Sequence, residues 1–142
     1  MINREAIYAA LFTRLAAIPG LKTSSRRLKH WNDTQPEEQP ALFMAQGNQV
    51  PNTTSGEPCK WLLAADVYVY ARTNDGRAPG TVLNELLDAI EAALPLSPFT
   101  GVHDNLGRAD VAWARIDGAI ETDEGTLGDQ AVAIVPIRLL AA

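Results

Sequence analysis

The stretch Cys59-Lys60-Trp61-Leu62-Leu63-Ala64-Ala65-Asp66-Val67-Tyr68-Val69-Tyr70-Ala71-Arg72 alternates along its whole length. Trp61, Leu63, Ala65, Val67, Val69 and Ala71 fall on one side. Leu62, Ala64, Asp66, Tyr68, Tyr70 and Arg72 fall on the other. A period of two, rich in valine and aromatic residues, predicts a β-strand over 59–72 whose first face meets a core. The second face sets two tyrosines between an aspartate and an arginine. Tyrosine and arginine are enriched where proteins meet. Tyr68, Tyr70 and Arg72 are therefore candidate contact residues, with burial under a helix of the same chain as the alternative.

Working outward, Ala6, Ile7, Ala10, Leu11, Leu15 and Ile18 recur at three- and four-residue steps and predict a helix, with Asn3 as N-cap and Pro19-Gly20 as stop. Residues 21–29 carry no helical stripe and read as a solvated strand. His30 to Pro40 reads as a loop or a short helical turn. Ala41 to Gln46 is a short apolar run bounded by breakers, which predicts a buried strand. Residues 47–58 hold two glycines, two prolines and small polar residues, and predict a mobile hairpin loop.

Downstream, a turn at Asn74-Asp75-Gly76 leads to a second helix with the stripe Val82, Leu83, Leu86, Leu87, Ile90 and Leu94. Thr81 is its expected cap and Pro95 its end, before a loop over 95–108. Val111 to Ile120 alternates as a strand, with Ala112, Ala114, Ile116, Gly118 and Ile120 on one face. Glu121 to Gly128 reads as a turn. Gln130 to Leu140 is apolar on both faces, as in a strand covered on both sides by the fold or by a partner. Pro136 within it cannot donate to a ladder, so it marks an edge or a bulge. The expected architecture is one α+β domain over 1–142: a mixed, mainly antiparallel sheet of four to five strands with two helices packed on one face.

Composition narrows the class. At 142 residues, 46% hydrophobic and 20% charged, the chain is that of a globular domain with room for a core. No run of about 18 apolar residues is present, so no membrane-spanning helix is expected. The opening Met1-Ile2-Asn3-Arg4-Glu5 lacks the features of a signal peptide, and one cysteine excludes a disulfide framework; a reducing cytoplasm is the expected compartment. The net charge of −5 is unevenly spread. Residues 1–60 hold seven Lys/Arg against five Asp/Glu, and residues 61–142 hold five against twelve. Lys22, Arg26, Arg27 and Lys29 form the one basic stretch. An acidic chain is a poor general binder of nucleic acid. Opposite charges on two halves instead suit self-association.

Catalytic signatures are sparse. Cys59 with His103 supplies a nucleophile and base in principle, but a small buried thiol at a strand start is the more ordinary reading. His103, Asp104 and Asp110 match no metal-ligand spacing. Glu121, Asp123 and Glu124 would gather three carboxylates at a hairpin tip. A divalent cation suits such oxygens, yet the calcium-loop spacing is absent. A solvated turn, or pairing with the basic cluster of a neighbouring copy, explains them without a cofactor. No Gly-rich phosphate loop or dinucleotide fingerprint is present. These residues favour an interaction protein over an enzyme.

The segments Ile2-Asn3-Arg4-Glu5-Ala6-Ile7-Tyr8-Ala9-Ala10-Leu11-Phe12, Ser25-Arg26-Arg27-Leu28-Lys29-His30-Trp31, Gln39-Pro40-Ala41-Leu42-Phe43 and Ile116-Asp117-Gly118-Ala119-Ile120-Glu121-Thr122-Asp123-Glu124-Gly125 together resemble the tail terminator, or tail completion, family of tailed phages and prophages. The lambda-like minor tail protein U is of this kind. The resemblance spans nearly the whole chain and rests on the order of segments, since none is a catalytic motif. It implies a mixed sheet with helices on one side, no catalysed reaction and no cofactor. It also implies a structural role: a homohexameric ring on the head-proximal end of the tail tube, which stops polymerisation and offers a surface to a head-completion or connector protein. The expected partners are other copies, the tube protein and that connector, with DNA only as cargo through the lumen and no membrane. The expected place is the host cytoplasm during assembly and then the virion tail. The candidate subunit or tube contacts are Arg26, Arg27, Lys29, Tyr68, Tyr70, Arg72, Glu121, Asp123 and Glu124. A neck or head-closure protein is the nearest alternative, and a small Cys/His hydrolase a remoter one.

Overall fold

The computed structural model describes residues 2–73, 76–96, 101 and 103–142. Asn74 and Asp75 of the expected turn, and part of the 95–108 loop, lie outside the described residues. The chain forms helix α1 (Arg4–Ala16), strands β1 (Thr23–Ser25), β2 (Ala41–Asn52) and β3 (Lys60–Arg72), helix α2 (Pro79–Ala93), then strands β4 (Val111–Ile116), β5 (Glu121–Leu127) and β6 (Gln130–Ala141). The sheet runs β1-β2-β3-β6, and the far side of β6 is shared by β4 and β5. Only the β1–β2 pair is parallel. The fold is therefore α+β, with a mixed, mainly antiparallel sheet.

The alternation of 59–72 decides the core. Leu63, Ala65, Val67, Val69 and Ala71 are all buried, as are Ala131, Ala133, Val135, Ile137 and Leu139 beside them on β6. Both helices cover this face. Ile7, Leu11 and Leu15 of α1 and Val82, Leu83, Leu86 and Ile90 of α2 join the same cluster. Asn3 caps α1 as expected, its side chain accepting from the Ala6 amide. The cap of α2 is Ala78, not Thr81. Pro79 occupies the first helical position, where its fixed φ suits the helix and its missing N–H is no loss.

Several expectations fail for local reasons. Residues 47–52, expected in a loop, continue β2 against β3, with a bulge between Gln46 and Gln49. Gly47 suits the close approach of the two strands there, since a Cβ would stand 3.0 Å from the Ala64 Cβ, a tight contact. Pro51 is tolerated because β2 has no strand on its outer side beyond Phe43. The hairpin loop shrinks to residues 53–59. Of residues 21–29, only Thr23–Ser25 forms a strand.

The expected turn at 121–128 is instead strand β5, and the hairpin turns at Gly128 and Asp129, between the paired Leu127 and Gln130. Acids and a glycine disfavour a strand intrinsically, but the long apolar β6 supplies a template that outweighs the local preference. β4 ends at Ile116 rather than Ile120. A bulge between Val111 and Trp113 turns Val111 and Ala114 inward and leaves Ala112 exposed, against the simple alternation. β4 and β5 thus lie end to end along β6 as two separate strands, so the sheet has six strands rather than four or five. The break at residues 117–120 lies opposite Pro136. The Pro136 carbonyl accepts from the Asp117 amide at 3.0 Å. In a strand the N and O of one residue point to the same edge, so the missing proline donor faces the break, as a bulge position requires.

Arg14 is one of the polar groups that tie the helices to the rest of the fold. Arg14 of α1 donates to the Ala93 carbonyl at the end of α2 at 3.1 Å and to the Asp104 carboxylate. Asp104 in turn accepts from the Leu106 amide at 2.9 Å, while its own carbonyl accepts from Ala114 of β4 at 2.8 Å. The first of these bonds holds Leu106 at a positive φ of 59°, with its side chain in the core. Replacing Arg14 by Ala leaves Asp104 and the Ala93 carbonyl short of a donor. The expected loss is about 1–3 kcal/mol, seen as a lower urea midpoint at unchanged slope.

Candidate subunit interface

Among the described residues, the sheet face away from the helices has no second layer of helix or sheet, yet its upper part is not open. Residues 26–40 cross it as a strap containing two 3-10 turns, Trp31–Asp33 and Pro36–Glu38. The Tyr70 hydroxyl donates to the Lys29 carbonyl at 2.6 Å, and Gln130 donates to the Trp31 carbonyl at 3.3 Å. Ala41, Phe43 and Tyr70 form a second small core under this strap, with Trp31, Tyr68 and Val132 around it. Inside the strap, Thr34 donates to the His30 carbonyl and Gln39 to the Thr34 carbonyl, both at 3.1 Å.

The strap decides the fate of the tyrosine face. Tyr70 is buried, and Tyr68 is half-buried beside it. Arg72 donates to Gln130 at 3.0 Å and pairs with Asp129 at 3.4 Å. The cover comes from this loop segment and not from a helix. The sequence signal was Trp31, a large aromatic in an otherwise polar stretch. The lower part of the face stays uncovered, and there Arg115 lies 4.0 Å over the Trp113 ring.

The charged candidates divide by edge. Arg26 pairs with Glu5 at 2.5 Å and Lys29 with Glu38 at 2.9 Å. Lys22 and Arg27 are exposed at the β1 edge and, among the described residues, make no ion pair. Glu121, Asp123 and Glu124 lie on β5, the opposite edge of the sheet. They do not converge as a hairpin tip would bring them. Strand alternation sends Glu121 and Asp123 to the strap side, where they share a shallow pocket with Trp31, Val132 and Ile134. Glu124 points to the helix side, against Gly80 in the first turn of α2, where the helix dipole favours a carboxylate.

The remaining chemical candidates are dispersed. Cys59 is exposed rather than buried, because β3 begins at Lys60 and the loop before it projects beyond the core. It lines a cleft with Arg4 and Trp61, whereas His103 lines another with Leu94, Leu96, Arg115, Ile116 and Ile120. Asp104 is held by Arg14, and Asp110 by the Nε and Nη2 of Arg108 at 2.8 and 3.0 Å. That bonding holds the Asp110 carboxyl below its ordinary range. No group of three metal-ligating side chains occurs among the described residues. Among them, too, no helix is long and apolar enough to cross a membrane.

No protein-family model matches the chain, and no curated protein does. A solved structure of 20% sequence identity superposes with a TM-score of 0.52, covering 99% of this chain and 96% of that one. At this identity the likeness shows the fold alone.

Burial and the nearby Tyr68 push the Tyr70 phenol up to about 12. A raised phenol stabilises the fold fully below the unfolded value near 10, and that contribution is lost as pH climbs from there through about 12. Burial raises Tyr8 in the same direction. Tyr70→Phe is expected to lose about 1 kcal/mol at neutral pH with its hydrogen bond. It should also flatten, without abolishing, the alkaline fall in stability, as read from urea midpoints at several pH values.

Proposed function

We propose that the protein is a structural subunit of a tailed phage or prophage, forming a ring that caps the head-proximal end of the tail tube. It is not an enzyme in this reading, and it takes no cofactor. Its partners are other copies, the tube protein and a head-completion protein, with DNA passing through the lumen as cargo. The subunit is made in the host cytoplasm and ends in the virion tail.

The observation that carries the reading is the open sheet with two unlike edges. One edge is β1 and the lower part of β2, and the other is β4 and β5, end to end. A closed ring needs head-to-tail contacts between two different surfaces of one subunit, repeated until the rotation closes. A molecule whose two sheet edges differ in sequence and charge supports such a contact, whereas a two-fold dimer uses one self-complementary patch. The family resemblance of the four quoted segments supports the same reading and gives the ring its six copies. The dispersal of Cys59, His103 and the loop carboxylates lends nothing to a hydrolase.

Light scattering over rising protein concentration tests this directly. The expected mass approaches six times the 15.3 kDa subunit, with ring-shaped particles in negative stain. A subunit mass at every concentration contradicts a self-closing ring. In an infected host, loss of the protein should give overlong tails. Tails of normal length with leaking heads would instead assign it to head closure.

A further inference from the structure

The register across the sheet sets its two charged edges level. Ser25 of β1 aligns with Phe43, Tyr68, Ile134 and then Glu121 of β5. Thr23 aligns in the same way with Ala41, Tyr70, Val132 and Asp123. The basic stretch therefore borders one edge at the height at which the acids border the other. Intramolecular pairs use Arg26 and Lys29 but leave Arg27, and likewise Glu121 and Asp123, exposed with no ion pair among the described residues.

A second observation falls on the same two places. Large apolar side chains left exposed are few among the described residues, and two of them adjoin these charges. Leu28, 47% exposed, follows Arg27, and Ile120, 38% exposed, precedes Glu121. Ile120 also belongs to a cleft with Leu94, Leu96 and Ile116, rimmed by Glu91, His103 and Arg115. The start of the strap beside β1 and the β5 edge thus each carry an exposed apolar side chain next to charge that has no ion pair among the described residues, of opposite sign in the two places. Apolar contact ringed by complementary charge is the anatomy of a specific protein contact.

We infer that the occupant of each edge is the opposite edge of another copy of this chain. In this arrangement, which rests on the ring reading above, Leu28 of one copy seats in the Ile120 cleft of the next, and Arg27 meets Glu121 and Asp123. Lys22 extends the positive border. The contact is head to tail, so every copy gives one edge and receives the other. The free backbone groups of the outer strands then lie against a neighbour instead of water, and the acids on β5 discourage pairing with a wrong edge.

A charge exchange tests the assignment. One variant carries Lys22→Glu and Arg27→Glu, and a second carries Glu121→Lys and Asp123→Lys. All four side chains are exposed, and circular dichroism melts like those of the parent confirm that each variant folds. Alone, each variant puts like charge on both edges, and the ring mass should be lost at concentrations where the parent assembles. Mixed in equal amounts, the two restore opposite charge at every junction of an alternating ring, and the ring mass should return. Rings from either variant alone overturn the edge contact while leaving the ring reading intact. Variants that stay apart when mixed also overturn it. A parent that never assembles overturns both.

Discussion

The antiparallel ladder between β3 and β6 is the constraint on which the rest of the structure depends. It pairs Trp61 through Arg72 with Ala141 through Gln130 without a break. Beyond the partly buried Trp61 at its end, its inner face carries small and branched side chains that are fully or nearly fully buried, and both helices pack on it. Burial of that apolar surface is the main favourable term for a domain of this size. Everything else is added to one side of this pair or the other. β2 extends it on one flank, and β4 and β5 share the other. The 26–40 strap closes over the upper outer face through Tyr70 and Gln130, both of which belong to the ladder.

That ladder also explains which features were legible in the sequence. Strand β3 showed clean alternation, and α1 and α2 showed clean helical stripes, because each buries one face against the core. Pro136 was readable as a bulge marker because its chemistry forbids a complete ladder. The errors fall where a partner strand overrides local preference. Glu121, Asp123 and Glu124 look like a turn until β6 is placed beside them. Gly47 to Asn52 looks like a loop until Ala64 is placed beneath Gly47. Val111 and Ala112 exchange faces because of one bulge, which no periodicity reveals. The candidate contacts were legible as residue types but not as a surface. Tyr70 and Arg72 bond inside the chain, while Leu28 and Ile120 carry no signal in the sequence, since isolated exposed apolar residues are ordinary until their neighbours in space are known.

The open sheet leaves a physical problem that suits a partner. Both outer strands present backbone donors and acceptors, and a soluble monomer must blunt them. The acids of β5 and the bulged, proline-bearing end of β2 serve that purpose in the free subunit. The same features give the edges different identities, which is what a directional, closed assembly requires and what a symmetric pair does not. The lower outer face, with Arg115 stacked on Trp113, is a separate surface from either edge. In the proposed ring, joined edge to edge, that face would be left for the proposed tube or head contacts.

Hydrogen exchange followed by mass spectrometry, comparing dilute protein with the proposed ring at high concentration, tests the central claim that the ladder holds the fold and the proposal that its two flanks hold a ring. The account predicts that the β3 and β6 amides exchange slowest in both forms. On assembly, protection should rise in two separated places, residues 22–29 and 117–124. A rise confined to the 53–59 loop or to the lower outer face, with both edges unchanged, would contradict it.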